Sequence, residues 1–335
     1  MKEVERKILL NPGPATTTDS VKWSQVIPDI CPREHEFAGI VDDIIEGLTD
    51  IAADNQDYVS VLFGGSGTAG VESTLCSVPE NAKLLIISNG AYGRRMCTIA
   101  DTYRLDYQAY SSSEYTPLDL SAIEDLVKKG SFTHLFVVHH ETTTGLLNDI
   151  ESLGRIAKAY DLRFVVDAMS SFAGIPIDMK QCHIDFLVAS SNKNIQGMAG
   201  LVFVIASKEA LEELADQKAR GFYLDLYNQF VYYRDKKQFR FTPPVQTVYA
   251  LHQALKEFQE ESLQGRYDRY CRLWKIMTEG MQKLGFKMLV EEAYQSKMIT
   301  AFMEPETIGY SFDDLHDFLF EKGITIYPGK AMGIN

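Results

Sequence analysis

Between Tyr58 and Ala206 the chain alternates short apolar runs with stretches of helical period. The runs are YVSVLF, KLLIIS, HLFVVH, RFVVD, DFLVASS and LVFVIA. Between them lie segments such as LSAIEDLVKK (Leu120 to Lys129) and SLGRIAKAY (Ser152 to Tyr160). Their apolar residues recur at helical spacing. Strands alternating with helices predict βαβ units and a mostly parallel sheet. The runs are continuously apolar, as expected when helices cover both faces of the sheet. After Ala206 the pattern changes. A helix, KEALEELADQKAR, leads into an aromatic stretch, GFYLDLYNQFVYYRDKKQFRFTPP. Two helical segments follow, TVYALHQALKEFQEE and RYDRYCRLWKIMTEGMQKL, then the apolar run MITAFM, a helix DDLHDFLFEKG and a strand ITIYPGK. We expect an α/β protein, with a large α/β domain over residues 1–244 and a smaller α+β domain over 245–335. A length of 335 residues suits two such units.

Composition narrows the partners. The chain is 45% hydrophobic and 24% charged, ordinary for a globular protein. Its formal net charge of −13 argues against nucleic acid and against an anionic membrane surface. A small anionic substrate stays open, because a local arginine cluster can oppose the global sign. No window approaches a membrane-spanning length of apolar residues. The opening MKEVERKILLNPGP lacks an apolar core of signal-peptide length. The five cysteines, Cys31, Cys76, Cys97, Cys182 and Cys271, are scattered and form no CxxC pair. That usage points to free thiols in a reducing compartment, hence the cytoplasm, and no metal site is expected.

In parallel sheets ligands bind beyond the carboxyl ends of the strands, so the tips carry the chemistry. YVSVLF is followed by GGSGTAG, in which Gly65 to Gly70 fits GxGxxG. Such a turn, opening a helix, holds a phosphate with free backbone N–H groups, and Ser66 and Thr68 add hydroxyls. The plainer alternative is a tight strand-to-helix turn with a cap. A dinucleotide site would want an acidic residue ending the next strand, but KLLIIS ends in Asn89 and Gly90. RFVV is followed by Asp167, a carboxylate that is either a helix cap or the partner of a protonated ring nitrogen. DFLVASS delivers Asn192 and then Lys193. A lysine in small, polar surroundings at a strand tip is either a solvated surface residue or a desolvated amine able to attack a carbonyl.

Taken together, a phosphate cradle, an aspartate and a lysine are the parts that pyridoxal 5'-phosphate requires. Tyr92, in NGAYG, could stack on its ring or pack in the core. Thr142 and Thr143, in HETTTG, could bond the ring hydroxyl or serve the turn.

At these residues the chain resembles the class V (fold type I) pyridoxal-phosphate aminotransferases, and within them the branch acting on 2-aminoethylphosphonate and pyruvate. The resemblance rests on LLNPGPATTT, GGSGTAGVES, SNGAYGRRM, HHETTTGLLND, VVDAMSSFAGIPID, SSNKNIQG, FRFTPPVQTVYAL and ITIYPGK. The VVDAMSSFAGIPID and SSNKNIQG stretches are the most specific to that branch; the NPGP opening is shared with alanine:glyoxylate and serine:pyruvate aminotransferases. It implies a mostly parallel, seven-stranded central sheet with a smaller C-terminal domain. It implies that Lys193 joins the cofactor aldehyde, Asp167 holds the ring nitrogen and Tyr92 stacks on the ring. Ser66, Gly67 and Thr68 would hold the phosphate, and Thr142, with Thr143, would reach the ring hydroxyl. It further implies a homodimer with shared active sites, in which Arg240 and Thr242 of FRFTPP reach the partner's cofactor phosphate. The substrates would be an aminophosphonate and a 2-oxo acid. In that family an arginine-bearing stretch after the ITIYPGK strand grips the substrate's acid group. Here AMGIN follows Lys330, so the expectation is that the smaller domain is shortened at its end in this sequence and transamination impaired, or that another arginine serves; Arg33, Arg94 and Arg95 are the candidates, each with a solvated salt-bridge role as the plainer alternative. Another class V aminotransferase, a cysteine desulfurase or a non-catalytic cofactor-binding dimer are the alternatives.

Overall fold

The computed structural model describes residues 4–306 and 309–329. Lys330 and the AMGIN after it lie outside the described residues.

Seven strands form the central sheet: β1 (Tyr58–Gly65), β2 (Lys83–Ser88), β3 (Asp106–Ser111), β4 (His134–Val138), β5 (Arg163–Asp167), β6 (Phe186–Ser190) and β7 (Gly200–Ser207). Their order across the sheet is β1-β7-β6-β5-β4-β2-β3. All pairings are parallel except those of β7, which runs antiparallel to both β1 and β6. Six strands coincide with the apolar runs. The seventh, β3, reads DYQAYS and has no buried residue. It lies at the edge of the sheet opposite β1, and with little apolar surface to bury it does not stand out as an apolar run.

The helices used below are α1 (His35–Asp50), α2 (Gly67–Ser77), α3 (Ala91–Thr102), α4 (Leu120–Lys129), α5 (Ile150–Ala159), α6 (Leu226–Lys236), α7 (Val245–Glu261), α8 (Leu263–Lys283) and α9 (Phe312–Glu321). They cover both faces, and alternate strand residues divide into two cores. Leu85, Leu135, Phe164, Leu187 and Phe203 pack with α1, α4, α5 and α7. Leu84, Phe136, Val165, Val188 and Val202 pack with α2, α3 and α6. A strand buried on both faces needs no polar alternation, which is why the runs are so uniformly apolar. Local chemistry starts the helices: the carboxylates of Asp119 and Asp149 accept from the N–H groups of Ala122 and Ser152 at 3.0 and 2.9 Å.

Three details depart from expectation. The helix after β7 ends at Glu212 instead of continuing to Arg220. Its second half, DQKAR, has no apolar face, and Arg220 turns back to donate to the Val78 carbonyl at 2.6 Å. The aromatic stretch contains α6, begun by the Asp225 cap on Asn228 N–H. The MITAFM run contributes only the two-residue strand Phe302–Met303. The division expected at residue 245 falls at the start of α7, and Val248, Leu251, Leu255 and Phe258 of that helix belong to the same core as α1.

Candidate active site

The strand tips enclose a cleft of about 430 Å3. Its walls are the Gly65–Thr68 turn, Tyr92 and Arg95 of α3, Val138 at the end of β4 and His140 just beyond it, the Asp167–Ser170 turn, and Asn192, Lys193 and Gly200. Of the expected site residues, Ser66, Gly67, Thr68, Tyr92, Asp167 and Lys193 meet there. Thr142, Thr143, Arg240 and Thr242 are not part of the lining.

The glycine-rich turn follows β1. Gly65 has φ of +152°, a left-handed conformation that favours glycine. Ser66 stands at the N-terminus of α2 with an extended backbone and no side-chain cap bond of its own. Its hydroxyl is therefore free for a ligand. Gly67 and Gly70 meet close neighbours. A Cβ on Gly67 would lie 2.6 Å from Met169 Sδ, and one on Gly70 would lie 2.4 Å from Val202 Cγ2. Gly70 thus lets α2 settle directly on β7.

Asp167 ends β5 and is only 5% exposed. Its Oδ1 accepts from Met169 N–H at 2.9 Å. Burial pushes this carboxyl up to about 6, against that bond and the charges of Arg95 and Lys193. A buried carboxylate so poorly compensated calls for a cationic partner in the cleft.

Lys193 sits in a loop folded on itself, with Gln196 N–H donating to the Lys193 carbonyl and Gly197 N–H to that of Ser191, both at 2.8 Å. Its Nζ donates to the Pro12 carbonyl at 2.6 Å. Gly13 has φ of +128°, and a Cβ there would lie 2.5 Å from Nζ, so the NPGP segment closes over the lysine only because it carries glycine. Burial lowers the Lys193 pKa, Arg95 adds to that, and Asp167 opposes it.

Beneath Tyr92 lies Glu141, fully buried. It accepts from Tyr92 N–H at 3.2 Å and from the Thr143 hydroxyl at 2.7 Å. Thr143 thus serves the turn. The Thr142 hydroxyl is buried and has no partner in the protein. The Arg95 guanidinium lies 4.9 Å from the Tyr92 ring centre. Of the arginines considered for the substrate acid, only Arg95 lines the cleft. Arg94 pairs with Glu114 at 2.5 Å and Arg33 donates to Gln238 at 2.8 Å. Arg240 donates to the Phe222 carbonyl at 2.9 Å, and Thr242 is exposed.

His140 lines the cleft too, outside the set of residues expected there. Its Nδ1 meets the Ser170 carbonyl at 3.1 Å, which makes Nδ1 the protonated nitrogen. Its Nε2 is buried without a partner, and burial pushes the imidazole down to about 4. The signal was the strand-tip rule itself, applied to HLFVVHH one residue further.

A family model for class-V aminotransferases matches residues 80–333. This chain is a class-V aminotransferase. It is 41% identical over 333 residues to the 2-aminoethylphosphonate–pyruvate transaminase of Bacillus mycoides (strain KBAB4), covering 98% of this chain and 90% of that one. It is 42% identical over 329 residues to the protein of the same name from Klebsiella pneumoniae, covering 97% and 89%. Among solved structures, the alanine–glyoxylate aminotransferase of Nostoc sp. superposes with a TM-score of 0.91 at 24% identity, over 99% of this chain and 88% of that one. The pyridoxamine–pyruvate aminotransferase of Mesorhizobium loti gives 0.90 at 21% identity, over 99% and 85%. The aminotransferase thus has the fold type I architecture. Among the described residues no group of three or more His, Cys, Asp or Glu side chains is arranged to hold a metal ion. No helix among them is long and apolar enough to cross a membrane.

Proposed function

We propose that this aminotransferase moves the amino group of 2-aminoethylphosphonate to pyruvate, giving phosphonoacetaldehyde and L-alanine, with pyridoxal 5'-phosphate held in the cleft. The observation that carries the reading is the meeting of a desolvated amine, Lys193, and a buried, cation-seeking carboxylate, Asp167, in one cleft with a glycine-rich turn. The substrate comes from the named relatives.

The donor set fits the cofactor. The Ser66–Thr68 turn offers hydroxyls and the α2 N-terminus to a phosphate. Asp167 supplies the carboxylate for a protonated ring nitrogen, and Tyr92 supplies an aromatic face. Thr142, expected at the ring hydroxyl, has a buried hydroxyl without a partner in the protein but lies outside the cleft lining. When bound, pyridoxal phosphate provides an aldehyde for amine exchange and a protonated ring that draws electrons from the substrate carbon.

The chain's own residues do the rest. Burial keeps a larger share of Lys193 neutral, so the amine can take a proton from the carbon that bears the substrate nitrogen and return it nearby. Asp167 favours the protonated ring by its negative charge. Arg95 is the cleft's guanidinium and the group suited to the substrate's acid. Arg240 and Thr242 lie off their own cleft, which suits a homodimer in which they serve the partner's cofactor. We assign the protein to the cytoplasm on its unpaired thiols.

A visible spectrum of the purified protein with pyridoxal phosphate tests the reading. Adding 2-aminoethylphosphonate should bleach the band, and pyruvate should restore it with release of alanine. Response to alanine or serine with glyoxylate, but not to the phosphonate, would replace the substrate. A band that responds to no amine would leave a cofactor-binding protein without transfer activity. Light scattering of the eluted protein tests the dimer.

A further inference from the structure

The bulkiest fully buried side chain among the described residues is Arg266, 2% exposed, and it takes no part in the chemistry above. A buried guanidinium is costly unless it is paired and hydrogen-bonded. Arg266 lies in the first turn of α8. Its Nε donates to Glu261 Oε2 at 2.7 Å, and its Nη1 donates to the backbone carbonyl of Asn194 at 2.7 Å. The ring centre of Phe258 is 4.9 Å from its guanidinium carbon. Glu261 also accepts from Arg269, and its bonds to Arg269 and Arg266 hold its carboxyl down to about 2, against burial. The anchor is therefore charged on both sides.

Asn194 directly follows Lys193. Its side-chain amide donates to the carbonyls of Ser170 and Phe172 at 2.9 and 3.3 Å, in the turn that follows Asp167. A Cβ on Gly174 would lie 2.7 Å from that amide nitrogen, so glycine leaves the seat open. Asn194 is gripped on both sides, its carbonyl by Arg266 and its amide by the Asp167 turn. Further along α8, the Trp274 indole N–H donates to the Thr300 hydroxyl, which bonds the same helix to the C-terminal segment.

We propose that Arg266 is a positioning residue: by holding the Asn194 carbonyl from the start of α8, it fixes the Lys193 loop against the Asp167 turn and passes displacements of α8 to the amine. The role in catalysis rests on the cofactor reading; the mechanical link does not.

The test reads the amine in the cofactor-free protein. Competitive acetylation of the lysines across a pH series, quantified by mass spectrometry, gives the midpoint of Lys193. Asp167, Arg95 and His140, the groups around that amine, are kept in every variant. Arg266→Met should free the loop, admit water and raise the midpoint toward that of ordinary lysine. Arg266→Lys, which restores one donor, should recover part of that shift. With pyridoxal phosphate bound, the pH midpoint of the visible band should move in the same variants, and kcat should fall more than KM changes. A lowered melting temperature with the Lys193 midpoint unmoved would overturn the proposal and leave Arg266 as packing. If Arg266→Met does not fold, Arg266→Lys takes its place, because one ammonium cannot reproduce the paired bonds to Glu261 and to the Asn194 carbonyl, and an unmoved midpoint there overturns it equally. A wild-type protein that binds no pyridoxal phosphate, yet shows the shift on Arg266→Met, would sink the cofactor reading and leave the link standing.

Discussion

The central sheet and the C-terminal stretch were equally plain as patterns, yet they bury very different amounts. Every residue of β4 and of β6 is buried. No residue of α9 is, and Phe318 and Phe320 on that helix are 58% and 50% exposed. The two-residue strands Lys287–Met288 and Phe302–Met303 pair only with each other. A periodic apolar pattern therefore announces an element but not how much of it is covered. Asp167 and Lys193 both issue from the well-buried side of this contrast, as a site needs if its groups are to hold their geometry.

Four experiments would break or sharpen that contrast. Lys193→Ala should have the largest effect: the visible cofactor band disappears and turnover falls by about 10²–10⁴-fold or more. Near-normal turnover in that variant would detach the chemistry from the sheet altogether. Phe136→Ala empties a fully buried position in β4 and should cost about 3–5 kcal/mol in urea unfolding. Phe318→Ala, by contrast, should stay within about 0.5 kcal/mol. Equal costs at the two sites would erase the distinction.

The third experiment uses pH. The Asp167 carboxyl titrates near 6 in the folded chain, against 3.8 for an ordinary aspartate. Between those values the folded chain keeps the proton and the unfolded chain releases it. Stability of the cofactor-free protein should therefore fall as pH rises from about 4 to about 6, by about 3 kcal/mol from this group. Asp167→Asn removes this contribution, so the difference between the two pH profiles isolates it; parallel profiles would contradict the assignment. The fourth experiment is Gly70→Ala, where the new methyl meets Val202 and Val188, with an expected loss of about 1–3 kcal/mol in urea unfolding.

Much of this was legible in the sequence, for identifiable reasons. Strands covered on both faces write themselves as apolar runs, so six of the seven stood out and the exposed edge strand β3 did not. The rule that ligands gather at strand ends led to Ser66, Gly67, Thr68, Tyr92, Asp167 and Lys193, all of which face one cleft. The contacts that no linear pattern encodes were the long-range ones. Pro12 reaches the Lys193 amine from far upstream in the chain, and Arg266 reaches the carbonyl of Asn194 from far downstream. His140 was hidden because one histidine of a pair, His139, turns to Ser171 while its neighbour lines the cleft.

The reversed strand β7 has a metric consequence. It separates the turn after β1 from the tip of β6, so the glycine-rich end and the lysine end stand two inter-strand gaps apart, about 10 Å. Gly200 of β7 faces Gly65 of β1, which leaves bare backbone along that interval. The sheet's hydrogen bonds thus act as a ruler. A molecule clamped at one end and tethered at the other must match that span, whatever the loops around it do.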